Sequence, residues 1–413
     1  MFQTTRGAGL DLQMSQSNMC STASEGSTPM HDTTQTLSQP QNPYPYYQRM
    51  REQQPVFYDQ EQDAWQVFRY ADVERVFTDY QTFSSRTPCC PFTTDFHSFY
   101  RMDPPELQQY RGLVSQPFTP LAVSRQASRI MSLTMQLLDR VADRGQMDVI
   151  DDLVFPLPLR VLADLLGLPL QDEERYAVWS QTINGEEMPE LRAYFHELLT
   201  ERQHLLRPGI IRSLFQARLD GRPLAHEELL GFCGQLFGGA NLEITPFLGN
   251  VVHGLLEHPE VADELRAEPG LIPGAVEEML RMYPPVPTGG PRRATTDVEL
   301  SGHVIGAGQR VSPVLASANR DETVFAEPDR FDIRRQPNPH LSFVTGPHVC
   351  IGAHLSRLET RIVLSALLER FEEIQLTPGG TLEVEPSCMV GAKHLPITFR
   401  PRSSVKAHPV EPA

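Results

Sequence analysis

Lysine is almost missing from this sequence. Of its 36 basic residues only Lys393 and Lys406 are lysines, and the rest are arginines. No run rich in basic residues occurs, and 52 acidic residues leave a net charge of −16. Such a balance suits a phosphate backbone poorly, so no nucleic-acid partner is expected. Cysteine is sparse as well. Cys20, Cys89, Cys90, Cys233, Cys350 and Cys388 are scattered, with no CxxC pair. That argues against a disulfide scaffold and suits a reducing compartment, which points to the cytoplasm. No apolar run of about 18 residues occurs, so no membrane-spanning helix is expected. The N-terminus also lacks the apolar core of a secretory signal.

What is present is a globular composition, 40% hydrophobic and 21% charged. Residues 1–39, rich in Ser, Thr, Gln and Gly, read as a disordered tail, and 406–413 as a second, short one. The segment 40–405 between them reads as one domain. PVFYD and AWQVFR, joined by polar residues, predict a hairpin, and YADVERVFTD a helix. From about 120 to 285 the periodicity is mostly helical, including one pattern of over thirty residues from near Leu224 to about Glu257. After Pro284 short strands appear in RRATTDVEL and HVIGAGQRVSPVLAS, then a helix from about Ile351 to Phe371, then strand-like HLPITF. The fold class is therefore mainly α with small β-sheets.

Two stretches carry chemistry. HLSFVTGPHVCIGAHLSRLE, residues 340–359, delivers Cys350 from a Gly-Pro loop to the start of an amphipathic helix. A helix N-terminus presents free N–H groups and partial positive charge, which favour a thiolate. Gly352 removes a side chain beside the sulfur, leaving room for something flat. A thiolate is also the soft axial ligand of heme iron. The plain alternative is a buried, inert cysteine. The second stretch, GGANLEITPFLGN at 238–250, sits inside the long helical pattern and puts glycines, Glu243 and Pro246 where a buried helix would carry Leu and Val. Pro246 has no N–H, so the Leu242 carbonyl loses its helical partner, and a kink is expected there.

F-x-x-G-x-H-x-C-x-G, Phe343 to Gly352, resembles the heme-binding loop of the cytochrome P-450 family, with Val344 where the family has Gly. Other segments resemble the same family in chain order: MDPPELQQYRGLV with Arg111, Glu278-x-x-Arg281, RRATTDVEL with Arg292, and FAEPDRFD with Arg330. The resemblance covers about 42 to 400. It implies a cytochrome P-450 fold, with heme b between a distal helix and a proximal helix that follows the ligand loop. It makes Cys350 the iron ligand. Arg111, Arg292 and His348 would meet the heme propionates, with Ala240, Phe343 and Gly352 against the cofactor. A family His near Arg111 is replaced by Leu107. Glu278, Arg281 and Arg330 would form a buried structural cluster, which needs all its partners.

The family's usual acid–Thr pair on the distal helix is absent. Aligned without gaps, Leu242 and Glu243 replace it; Glu243 and Thr245 are the catalytic candidates left. Three accounts stay open: Glu243 delivers protons; Glu243 anchors a cationic or hydrogen-bonding substrate; or the oxidation is unusual or peroxide-driven. Phe92, Phe96, Asn241, Glu243, Ile244, Pro287, Met389 and Val390 are the expected substrate contacts. The implied activity is a monooxygenase using O2 and two electrons from a separate ferredoxin and ferredoxin reductase to oxidise a small or medium organic molecule, with secondary metabolism as the expected setting. Arg357 and Arg361 are the expected docking cations. A heme-thiolate protein that binds small molecules or gas without turnover is the alternative.

Overall fold

The computed structural model describes residues 42–87, 97–182, 189–379, 383–384 and 389–402. The expected tails, together with Phe92 and Phe96, lie outside the described residues. The molecule is mostly helical, with small sheets at its margins.

The helices that build the site are α1 (Tyr44–Gln53), α2 (Tyr70–Thr78), α3 (Glu106–Val114), α4 (Ala127–Asp139), α5 (Pro156–Leu166), α6 (Pro189–Thr200), α7 (His226–Glu257), α8 (Ile272–Met282) and α9 (Ala353–Arg370). The long helical pattern is thus one 32-residue helix, α7, with Pro246 inside it. Glu228 closes its first turn, accepting from the Ala225 N–H at 2.6 Å and from both Arg222 Nη atoms at 2.7 and 2.8 Å. Leu230, Phe237, Phe247, Leu248, Val251 and Val252 are buried along it, which makes it the axis of the main core. A helix buried on most sides needs no polar face, so its length follows from the size of the core it crosses.

The predicted hairpin is present as β1 (Val56–Asp59) and β2 (Ala64–Val67). They join β3 (Phe83–Ser84), β5 (Arg292–Ala294) and β6 (Arg310–Pro313) in the order β1-β2-β6-β5-β3, with β6 parallel to β2 and the other pairs antiparallel. A second sheet pairs β8 (Pro396–Pro401) with β7 (Phe371–Leu376) and with β4 (Gln146–Asp148). A separate apolar cluster including Val67, Val76, Phe77 and Val311 holds the first sheet against α2. This sheet carries Arg292 toward the loop that holds Cys350.

Candidate functional site

The cysteine loop is rigid because its backbone closes on itself. The Cys350 N–H donates to the Phe343 carbonyl at 2.9 Å, and the Val344 N–H to the Leu341 carbonyl at 2.7 Å. Gly346 has φ +71°, and a Cβ there would lie 2.6 Å from the Phe77 carbonyl oxygen, so only glycine fits. Val344 holds φ +50°, a left-handed value that a β-branched residue adopts only under constraint. The Phe343 ring lies under the Arg357 guanidinium, 4.5 Å away.

A buried ionic cluster fastens the segment before this loop to α8. Arg281 and Glu278 are fully buried and form a two-pronged pair at 2.8 Å each. The third member is not Arg330. Its side chain is 62% exposed and pairs with Glu327 at 3.0 Å. Arg335, five residues on, reaches Glu278 at 3.2 Å and is 10% exposed. The reason is the turn at 328–335: the Arg330 carbonyl accepts from both Arg281 and Arg335, which points that backbone inward and its side chain outward. Ser342 Oγ, donating to the Leu280 carbonyl at 2.7 Å, passes this anchoring to the cysteine loop.

A cavity lies between α7 and the cysteine loop. Gly239, Glu243, Ile244 and Phe247 line it from α7; Phe343, Cys350, Gly352, Leu355, Ser356 and Glu359 line it from the opposite side. Pro285 and Val286 line it as well, rather than the expected Pro287, whose carbonyl instead accepts from the Ala316 N–H at 3.0 Å. Thr245 is not among the lining residues. Residues 239, 243 and 247 form an i, i+4 stripe, and position 245 falls on the opposite side of the helix. The side chains of Ala240 and Asn241 lie outside those described. Met389 and Val390 do not line the cavity either. Their turn packs behind Pro246: the Asn250 amide donates to the Val390 carbonyl at 2.8 Å, and the Val390 N–H to the Pro285 carbonyl at 2.8 Å.

Burial and charge define the chemistry. Burial pushes the Cys350 thiol up to about 12, helped by the charge of Glu243, while the Gly352 N–H, Arg111 and Arg357 pull the other way. The helix start therefore does not by itself offset this burial, whereas a metal cation held at the sulfur would favour the thiolate. Burial alone raises the Glu243 carboxyl to about 7. His348 is held down to about 4 by burial first and then by Arg292, with a smaller push from Arg111. So the three expected propionate partners do lie within electrostatic reach of one another. The Met102 carbonyl, 3.0 Å from His348 Nε2, can only accept, so Nε2 carries the proton, and Ser85 Oγ is at 2.9 Å. Arg111 Nη2 donates to the Val349 carbonyl at 2.7 Å, and Arg292 stacks on the Phe77 ring at 5.0 Å.

These residues fit a heme. Two guanidiniums crowd a neutral imidazole, an arrangement that a pair of carboxylates would neutralise. A Cβ at Gly352 would stand 3.9 Å from Cys350 Sγ, so the glycine keeps that side of the sulfur clear.

Three features escaped the sequence reading. Tyr100 places its hydroxyl where a Cβ on Gly239 would lie 2.8 Å away, so the missing side chain admits this phenol to the helix surface. Glu359 is 3% exposed, and its Oε2 has no hydrogen-bond partner. Its position was readable, since Leu355, Glu359, Ile362 and Ala366 form one helical stripe with Glu359 the polar member. The third concerns the expected docking cations. Arg357 grips Glu277 through two contacts of 2.8 Å, and Arg361 is half-buried, with its Nε shut off from water.

The family model described as Cytochrome P-450 matches residues 184–391. A protein of Bacillus subtilis (strain 168) described as putative cytochrome P-450 YjiB is 37% identical over 375 residues, 85% of this chain and 92% of that one. Erythromycin C-12 hydroxylase of Saccharopolyspora erythraea is 36% identical over 84% of this chain and 92% of its own length. The crystal structure of CYP109E1 from Bacillus megaterium in complex with testosterone superposes with a TM-score of 0.81 at 32% identity, over 89% of this chain and 99% of that one. With this coverage, and with the cysteine loop and its basic cluster in place, the chain belongs to the cytochrome P-450 family of heme-thiolate monooxygenases, with heme b as its cofactor.

Proposed function

We propose that this enzyme hydroxylates, or otherwise oxygenates, a largely apolar metabolite, and that Glu243 holds the proton which oxygen activation consumes. The observation that carries this reading is the setting of Glu243. It faces the cavity from the distal helix, no cation contributes to its titration, and burial raises it to about 7. A carboxyl raised in this way can keep its proton closer to neutral pH than an ordinary one, the condition that suits a proton donor. The usual acid–alcohol pair is replaced by Leu242 and Glu243, and Thr245 lies off the cavity.

Cys350 would hold heme b through its sulfur, and the bound group would supply the reductive activation of O2. The chain's own residues set the conditions around it. Arg111, Arg292 and His348 would hold the two propionates. Gly239 admits the Tyr100 phenol to the helix surface at the cavity, and Ile244, Phe247, Pro285 and Val286 give the cavity an apolar wall. A relative named for erythromycin hydroxylation and one solved with testosterone support a substrate of similar bulk. Electrons come from a separate ferredoxin and its reductase. Val349, 44% exposed and next to Cys350, is the apolar centre of the docking face, in place of Arg357 and Arg361.

A second reading has one observation in its favour. With no cation near Glu243, an ionised carboxylate there would welcome a substrate ammonium. The variant Glu243→Gln, supplied with surrogate electron donors, tests both. Proton delivery predicts that product formed per NADPH falls about tenfold or more while hydrogen peroxide release rises and the substrate-induced Soret shift keeps its affinity. An anchoring role predicts lost affinity for ammonium-bearing ligands only. Full coupling with unchanged affinity would remove both roles.

A further inference from the structure

One propionate contact of the family is missing from this chain. Leu107 stands where the family carries a His, fully buried in α3 one turn before Arg111, and it has no hydrogen to offer a carboxylate. Tyr110, beside Arg111, gives its hydroxyl to Glu228 instead. The segment just before α3 supplies another donor. Residues 97–100 lie along one stripe of α7, at positions 231, 235 and 239. A Cβ on Gly231 would stand 2.1 Å from the His97 carbonyl oxygen, so backbone meets backbone there. Gln235, 3% exposed, accepts through Oε1 from the Ser98 hydroxyl at 2.8 Å and from the Phe99 N–H at 2.9 Å. Ser98 Oγ in turn accepts from the Tyr100 N–H at 3.2 Å. The Phe99 ring is buried against Phe232. These contacts fix the Tyr100 backbone and bring its hydroxyl to Gly239, on the cavity wall. Tyr100 also acts electrostatically on the Arg111 guanidinium, ahead of the Cys350 sulfur, so the phenol and the guanidinium share one neighbourhood. Tyr100 is 38% exposed, so its ring runs from the cavity edge to solvent. A cofactor's carboxylates belong at such a rim, where they keep water and an arginine as partners.

We propose that the Tyr100 hydroxyl donates to the heme propionate held by Arg111, in place of the family His that Leu107 displaces. This rests on the reading that Arg111, Arg292 and His348 hold the propionates. A phenol donates one hydrogen bond and brings no further charge beside Arg111. A hydrogen bond to an ionised acceptor is also stronger than one between neutral groups. Gln235 does not touch the cofactor. It is a positioning residue, which acts by pinning the turn that carries Tyr100.

The test uses the heme-loaded enzyme and the variants Tyr100→Phe, Gln235→Leu and Arg111→Gln. Tyr100→Phe keeps the ring and removes only the hydroxyl. It should speed the transfer of heme to excess apomyoglobin about tenfold and shift a propionate bending band in the resonance Raman spectrum. The Soret position of the ferrous carbon monoxide complex, which reports Cys350 ligation, should not move. Gln235→Leu should give a smaller change of the same kind, and none beyond that of Tyr100→Phe when the two are combined. A heme-loss rate and a Raman spectrum in Tyr100→Phe that match the parent would overturn the proposal. So would faster heme loss with unmoved propionate bands, because the hydroxyl would then serve packing alone. Arg111→Gln separates Tyr100 from the reading beneath it. A propionate band that moves in Arg111→Gln but not in Tyr100→Phe leaves Arg111 as a propionate partner and sinks Tyr100. A band that moves in Tyr100→Phe but not in Arg111→Gln keeps Tyr100 as a propionate donor and removes Arg111. If Arg111→Gln does not load heme, the band in Tyr100→Phe still decides the matter.

Discussion

Val344 shows how much one backbone position can store. Its φ of +50° places a β-branched side chain in the left-handed region, at a cost of roughly 1–2 kcal/mol. What holds it there is the hydrogen bond from its N–H to the Leu341 carbonyl, 2.7 Å long, and the side chain's contact with the apolar cluster around Phe77 and Val311. Val344→Gly relieves the strain but gives up that contact and adds freedom to the unfolded chain. We expect a net gain of about 0.5–1 kcal/mol in denaturant unfolding of the holoenzyme. A net loss would mean that packing of the valine outweighs its strain. Gly346, two residues on, allows no such exchange, because any Cβ would meet the Phe77 carbonyl oxygen at 2.6 Å.

At the scale of elements, the distal helix is braced from behind. Gly391 sits so close to α7 that a Cβ would lie 2.3 Å from Pro246 Cβ and 2.8 Å from its Cα. Proline is stiff, so neither side can yield by rotating a side chain. The same turn is tied to the Pro285 carbonyl through the Val390 N–H, and Pro285 and Val286 line the cavity. Gly391→Ala is therefore expected to cost about 1–3 kcal/mol of stability and also to weaken substrate binding in a Soret titration. Lost stability with unchanged affinity would show that the brace does not reach the cavity wall. On the opposite side, the pair of Glu278 and Arg281 at 2.8 Å, joined by Arg335, holds α8 to the segment before the cysteine loop. Both faces of the cavity are thus held by contacts outside it, which keeps the opposed groups in register.

For the whole molecule, the buried acids predict how stability responds to pH. Glu359 has its folded value raised to about 8 from an ordinary 4.5. Between those two values the folded chain keeps a proton that the unfolded chain has released. Its contribution to stability is therefore fully present below about 4.5 and is lost as pH rises through about 8. Glu359→Gln carries no such proton. The melting temperature of the variant relative to the parent enzyme should climb from pH 5 to pH 9, in roughly the window where that linkage acts. Parallel curves would show that Glu359 is solvated or paired in solution. The net charge of −16 belongs to the same scale. An acidic electron donor, as proposed above, would then have to dock under local rather than global control, at the proposed apolar face around Val349.

The chain's local patterns were enough to identify the helices, the hairpin of β1 and β2, the cysteine loop and the family, because periodicity and short motifs are written in consecutive residues. They placed the 32-residue α7 almost to its ends. Cys350, Glu243 and the basic trio of Arg111, Arg292 and His348 were also legible, since each sits in a motif whose neighbours constrain it. What sequence could not decide was direction. Thr245 and Glu243 are two residues apart, and only helical phase against a packed neighbour settles which one meets the cavity. Arg330 and Arg335 are both arginines in one turn, and the fold of that turn sends the first to solvent and the second to Glu278. Arg357 had the charge for docking, but the fold pairs it with Glu277. Glu359 was one acid on an amphipathic helix until its stripe proved to face the cavity of Cys350. In each case the residue type was set by the gene, and its role was set by which side chains the tertiary fold brought within reach and which it shut off from water.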